Sequence, residues 1–299
     1  MLFYTENVSK FAFSMESTDI NIESTHHNDN KKFGILGVPF DGTASYKPGA
    51  RFGPRSVREA SYNFEKYNMI LDKKVSANIY DFGDLEVVHG NFKKTCQNLK
   101  TTISEIQAMD MVPVTIGGDH SISYCVLNAM DDSDALNFQD LTIIHFDAHM
   151  DLRDSFLDEK YSHATVMRRI FDMNPKDIVQ IGIRSASKDE ANFATEKNLK
   201  IYKSCDVDEK LAEIIAFIIK IDGPVYLTFD IDVLDPAYAP SVGTPSSCGL
   251  NPKQLEKLIY SLKGKKIIGF DIVEVSSTKI GDITSLNAAK IIYDVLCLY

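Results

Sequence analysis

Three stretches of this chain run from apolar, strand-like sequence straight into carboxylates and imidazoles, and a fold must gather those ends where their charge can be balanced. Residues 143–154 read IIHFDAHMDLRD. Ile143, Ile144 and Phe146 have the continuous apolar character of a strand covered on both faces. Asp147, His149 and Asp151 follow at alternate positions, and alternate side chains of an extended chain share a face. Residues 225–236, VYLTFDIDVLDP, repeat the pattern with Asp230 and Asp232, again two apart. Residues 112–121, VPVTIGGDHS, run into a Gly pair and deliver His120 near a helix start, where Asp119 can serve the first amides.

Together these ends supply two imidazoles and four carboxylates: His120, Asp147, His149, Asp151, Asp230 and Asp232. Buried without a cation, such a set carries like-charge repulsion and desolvation that only raised pKa values relieve. Oxygen outnumbers nitrogen and thiolate is absent, which disfavours structural zinc and favours Mn²⁺, with Fe²⁺, Co²⁺ or Mg²⁺ behind it. Six ligands exceed what one ion with an open position uses, whereas two ions about 3.5 Å apart, sharing carboxylates and a solvent molecule, would use them all. With four ionised Asp, two neutral His and a bridging hydroxide the cluster is slightly negative and suits a cationic substrate.

Eight apolar strand candidates, at 33–38, 78–82, 112–117, 141–147, 177–183, 199–203, 224–231 and 266–273, alternate with amphipathic stretches such as 91–109, 207–220 and 282–298. That alternation predicts an α/β fold with a parallel sheet covered on both faces; an open sheet and a closed barrel both fit. Residues 1–32 read as a polar N-terminal extension, with His26 and His27 in solvent, and residues 33–299 as one catalytic domain. The N-terminus lacks a signal-peptide core and no apolar run would span a membrane, so a cytoplasmic protein is expected. Five scattered Cys, at 96, 125, 205, 248 and 297, predict reduced thiols. The formal charge of −10 argues against nucleic-acid binding.

The trio GGDHS, DAHMD and FDIDVLDP, in this order and at these separations, resembles the ureohydrolases, the arginase and agmatinase family of dinuclear manganese enzymes. The likeness runs from about Gly34 to the C-terminus, and GVPFDGTASYKPGARFGPRSVREAS at 37–61 makes it most similar to agmatinase. The resemblance implies a three-layer α/β/α fold with an eight-stranded, mostly parallel sheet, and assembly as a homotrimer or homohexamer. It implies two Mn²⁺ per subunit, one held by His120, Asp147, Asp151 and Asp230, the other by Asp147, His149, Asp230 and Asp232. It also gives catalytic roles to His163 in YSHATVMRR and Glu274 in GFDIVEVSS.

These parts imply a hydrolase that cleaves the guanidinium group of agmatine to urea and putrescine, as in polyamine biosynthesis. A hydroxide bridging the ions attacks the guanidinium carbon held by Glu274, Asp151 relays a proton to the leaving amine, and His163 exchanges protons with solvent. A planar, permanently charged guanidinium suits paired hydrogen bonds from a carboxylate. Between Asp151 and His163 a small acidic excess suits an amine tail, while Arg153 suits a carboxylate; arginine, guanidinobutyrate and aminopropylagmatine stay open as substrates. A related-fold deacetylase would use one zinc, a two-metal phosphoesterase would need more basic groups, and a non-catalytic relative would be expected to lose a ligand. Three positions depart from the family pattern: Cys248 and Ser277 replace frequent Gly and Pro, and Ala164 follows His163 where Gly is common. A positive φ at Cys248 would strain the turn by about 1–3 kcal/mol.

Overall fold

The computed structural model describes residues 5–6, 10–15, 31–131 and 136–299, so His26 and His27 lie outside the described residues. Eight parallel strands build the sheet, in the spatial order β5 (Asn78–Leu85), β2 (Lys32–Val38), β6 (Val112–Gly117), β11 (Lys266–Val273), β10 (Pro224–Asp230), β7 (Thr142–Phe146), β8 (Asp177–Ile183) and β9 (Lys200–Lys203). A short β1, Thr5–Glu6, adds an antiparallel edge to β5, and a hairpin of β3 (Tyr67–Asn68) and β4 (Lys73–Lys74) stands apart. The sheet is open, which decides against the barrel.

Because successive strand residues point to opposite faces, each apolar run feeds two cores. Ile144, Phe146, Leu227 and Phe229 face α1 (Gly53–Ser61), α6 (Val207–Lys220), α7 (Pro252–Tyr260) and α8 (Ile283–Leu296). Ile143, Tyr226, Leu36 and Val38 face α2 (Phe92–Ala108), α3 (Ile122–Asp131), α4 (Val166–Asp172) and α5 (Lys188–Glu196). Sheet and helices thus form three layers, α/β/α.

Two expectations change. The N-terminal stretch is in part integrated: Phe11 is buried, its N–H donates to Asp81 Oδ2 at 2.6 Å, and Met15 bridges to Tyr80. The thiols are not all reduced, because packing of α2 on α3 brings Cys96 and Cys125 together as a disulfide with Cα atoms 5.1 Å apart. Cys205, Cys248 and Cys297 are free.

Candidate metal centre

The four central strands β6, β11, β10 and β7 are neighbours, and each carboxyl end carries a predicted site residue. Phe229 pairs with Phe146, Asp230 with Val273, and Ile272 with Ile116. This register puts His120, Glu274, Asp230 and Asp147 on one rim of the sheet, where open α/β sheets form their crevices. Close approach there depends on Gly118, whose added Cβ would collide with the Phe40 carbonyl.

The six predicted ligands converge in two overlapping groups. His120 Nδ1 lies 3.1 Å from Asp147 Oδ2, 3.4 Å from Asp151 Oδ2 and 3.5 Å from Asp230 Oδ2. His149 Nδ1 lies 3.4 Å from Asp147 Oδ1 and 3.1 Å from Asp232 Oδ2. Asp147 joins both groups, as a bridging carboxylate would. All except the partly exposed His149 are buried.

Behind this layer, hydrogen bonds fix which atoms face inward. Thr228 Oγ1 lies 2.8 Å from His120 Nε2 and donates to Asp271 Oδ1 at 2.7 Å, while Tyr226 donates to Asp271 Oδ2 at 2.6 Å. With the Thr228 proton committed, His120 Nε2 donates and its Nδ1 lone pair faces three carboxylates; that buried Nδ1 makes no hydrogen bond. An acceptor aimed at acceptors fits a cation between them. The donor set, oxygen-rich with two imidazoles, fits a hard or borderline divalent metal.

Electrostatics point the same way. Burial pushes Asp230 well above the usual carboxylate range, reinforced by Asp232 and Asp147. Burial and the Asp147 charge raise Asp151 to about 7. Burial opposes charge on His149, yet Asp232 and Asp147 pull it up to about 12, and His120 is likewise raised, against its burial, by the carboxylates of Asp147, Asp151 and Asp230 that face it. Buried carboxylates pushed toward their neutral forms beside imidazoles pushed toward their charged forms make a pocket whose charge a cation would balance.

Glu274 is buried, with φ at 66°, and its N–H donates to Gly118 O at 2.8 Å. Its Oε1 accepts the His120 N–H at 2.8 Å; burial, then the nearby Asp119, push its pKa well up. Asp151 has φ at 53°, held by its carbonyl accepting Met167 and Arg168 N–H at 3.0 and 3.2 Å. Non-Gly residues in this region are strained, and the two lie at the rim where chemistry is expected. A cavity of about 230 Å³ opens on His149, Asp151, Asp230, His163 and Glu274, and Arg153, Phe156 and Glu190 also line it.

Ala164 lines the same cavity, Ser277 is buried with its Oγ accepting the Lys279 N–H at 3.2 Å, and Cys248 has φ at 66°, the case in which its turn is strained. Sequence reading missed His145. Its Nε2 lies 2.8 Å from Asp147 Oδ2 and its Nδ1 2.8 Å from Gln180 Nε2, which also donates to Met150 O at 2.7 Å. The amide caps Nδ1, so His145 Nε2 donates to Asp147 and steadies it. Its position two before Asp147 on one strand was the available signal. Arg184 was missed too: its guanidinium donates to the carbonyls of Gly182, Asp232, Val233, Leu234 and Ser246, fastening the Asp232 turn to β8.

The model of the Arginase family matches residues 31–298. The N(1)-aminopropylagmatine ureohydrolase of Thermococcus kodakarensis is 38% identical over 269 residues, 89% of this chain and 90% of its own. An agmatinase of Bacillus cereus is 37% identical over 286 residues, 94% and 96% of the two chains. The crystal structure of agmatine ureohydrolase of Thermoplasma volcanium superposes with a TM-score of 0.81 at 31% identity, covering 96% of this chain and 95% of that one.

Proposed function

The chain belongs to the arginase family, as a metal-dependent amidinohydrolase most similar to agmatinases, and from that premise we propose that it hydrolyses agmatine to urea and putrescine with two Mn²⁺ per subunit. One observation carries the reading: a single cavity is lined by His149, Asp151 and Asp230 from the ligand cluster and by His163 and the buried carboxylate of Glu274. His120, Asp147, Asp151 and Asp230 would hold one ion, and Asp147, His149, Asp230 and Asp232 the other.

When bound, the two cations would supply Lewis-acid charge that activates water at neutral pH. Glu274 would orient the guanidinium by its free carboxylate oxygen while Oε1 stays on the His120 N–H. Asp151 would take a proton at its carboxylate and pass it to the leaving amine, and His163 would exchange protons with solvent. Arg153, which lines the cavity, has its Nε 3.5 Å from Glu190 Oε2. A carboxylate tail would compete with that pairing, so the wall supports an amine tail. The relative from Thermococcus kodakarensis supports aminopropylagmatine as a second reading with the same guanidinium head. We propose a homotrimer or homohexamer for the assembly, with exposed Phe52 and Ile280 offering apolar surface.

The test is urea release by Mn²⁺-loaded protein from agmatine, aminopropylagmatine, arginine and guanidinobutyrate. Turnover of agmatine, abolished in Asp147→Ala, is the expected result. Turnover of aminopropylagmatine alone favours the second reading, and no urea from any of them with two metals bound sinks both.

A further inference from the structure

Arg184 follows β8 directly, and its side chain and its main chain each hold a different segment of the rim. The Nη2 group donates to the carbonyls of Asp232 at 2.6 Å, Ser246 at 2.8 Å and Leu234 at 3.3 Å. Nη1 donates to those of Gly182 at 3.1 Å and Val233 at 3.2 Å, and Nε to that of Ser246 at 3.2 Å. A guanidinium is always charged and only donates, and a carbonyl only accepts, so each of these bonds has a single possible direction. On the main-chain side, the Arg184 N–H donates to Ala148 O at 2.8 Å and the Ser185 N–H to the same oxygen at 2.9 Å, while His149 bridges to Ser185 in parallel. The Ala148 N–H joins the two segments by donating to Asp232 Oδ1 at 3.1 Å.

From this arrangement we infer that Arg184 is the positioning residue of one of the two metal positions, the one that His149 and Asp232 complete. The inference rests on the dinuclear reading proposed above for what these contacts serve. Of the four ligands given to that position, Asp147 and Asp230 are shared with the other, so His149 and Asp232 are the pair that define it. Arg184 holds the chain on both sides of this pair, and His149 Nδ1 and Asp232 Oδ2 stand 3.1 Å apart. His120 and Asp151, which define the other position, are held by different groups. Thr228 and Glu274 bond His120, and the N–H groups of Met167 and Arg168 bond the Asp151 carbonyl.

The turn around the guanidinium is shaped to admit it. A Cβ added at Gly249 would stand 2.7 Å from Arg184 Nη2, so the close approach of this turn needs glycine there. Lysine keeps the charge but has three donors on one nitrogen and cannot span five carbonyls as the planar fork does. Ser185, Ala186 and Ser187 line the cavity, and Arg184 is not among the residues that do. It therefore acts on the chemistry through the two ligands and not by touching substrate.

Metal titration of the full chain tests this without turnover. Calorimetry with Mn²⁺ counts the ions, and the exchange-coupled EPR spectrum of a Mn²⁺ pair reports that both positions are filled. The wild type is expected to take two ions and give the pair spectrum. Arg184→Lys and Arg184→Met should each keep one ion at wild-type affinity and bind the other about 10–100-fold more weakly, with the pair spectrum restored only at excess Mn²⁺. Asp232→Asn should lose the same ion, and adding Arg184→Lys to it should weaken the remaining ion by about twofold or less, because the two changes act on one position. Two ions at wild-type affinity in both Arg184 variants overturn the inference. Equal weakening of both ions, or a further large loss in the double variant, also overturns it, since either is the mark of a general structural role. A wild type that binds a single ion overturns it together with the dinuclear reading. If the titrations come out as expected and the wild type makes no urea from any guanidino compound, the substrate reading fails and the positioning role stands.

Discussion

The backbone N–H of His120 donates to Oε1 of Glu274 at 2.8 Å, so a predicted metal ligand and the predicted guanidinium anchor are fastened to each other across neighbouring strands. One carboxylate oxygen is spent on the scaffold and the other is free to face the cavity that Glu274 lines. A glutamine at 274 can keep its amide oxygen on the His120 N–H while replacing the free oxygen with a donor, which repels a guanidinium. Glu274→Gln is therefore expected to fold and to bind metal normally, yet to lose about 10²–10³-fold in kcat/KM, the cost of breaking a buried charge pair. Steady-state urea assays beside metal analysis check this; an active Glu274→Gln enzyme would remove Glu274 as the anchor.

Removing metal should loosen the whole rim of the sheet. Because Asp147, Asp151, Asp230 and His120 converge from different strands, cations bind the folded state and not the separated ligands. Saturation at about 100 times Kd stabilises by about 2.7 kcal/mol, which for a domain of this size is roughly 4–5 °C in unfolding temperature. Thermal scans with Mn²⁺ and after chelation should show that difference. Asp147→Asn, which cripples both overlapping groups, should show none; a Mn²⁺-induced rise that survives in the variant would argue against Asp147 as the shared ligand.

Much of this centre was legible because buried parallel strands write continuous apolar runs, and ligands at their ends stand out against them. The β6, β8 and β11 boundaries match the sequence expectation to the residue. Strands of two residues, such as β1 and β3, are too short to write a period. His145 was hidden inside an apolar run, although its alternation with Asp147 put both on one face. Thr43 and Ser45 carry no signal of their own, since only the fold brings their loop onto His163. Likewise Cys96 and Cys125, 29 residues apart on different helices, pair through helix packing that spacing alone does not reveal.

That same loop is anchored by Asp41, and its anchor should be visible in the acid limb of stability. Burial raises the Asp41 pKa, but the Arg51 guanidinium, with Nε at 2.6 Å, and the Gly49 N–H outweigh it and hold the carboxyl below its ordinary value. A carboxyl with a depressed folded-state pKa adds stability that is present above its unfolded pKa, near 4, and lost as pH falls through the folded value. Asp41→Asn should therefore cost about 1–2 kcal/mol at pH 7, and the gap to the wild type should shrink as pH falls below about 4. Denaturant unfolding across pH 2–7 measures it; a gap independent of pH would mean that the loop is held by shape and not by this charge.

A last prediction comes from Cys248, one of the residues that depart from the family pattern. Its φ of 66° lies in the left-handed region, its side chain is exposed, and its carbonyl accepts the Ser204 hydroxyl while the next N–H, of Gly249, donates to Asp235 Oδ2 at 3.0 Å. Those backbone bonds hold the turn, so the side chain contributes strain without filling a core. Gly adopts this φ without a Cβ penalty, though it also widens the unfolded ensemble. The balance favours Gly where φ is positive, and Cys248→Gly should raise stability by about 0.5–1 kcal/mol, the lower end of the strain range once the entropy is subtracted. The bonds from Arg184 to the Ser246 carbonyl tie this turn to the Asp232 segment. Cys248→Ala, which keeps the Cβ and removes only the thiol, separates the causes: if it stabilises as much as Cys248→Gly, the backbone is not the source of the strain.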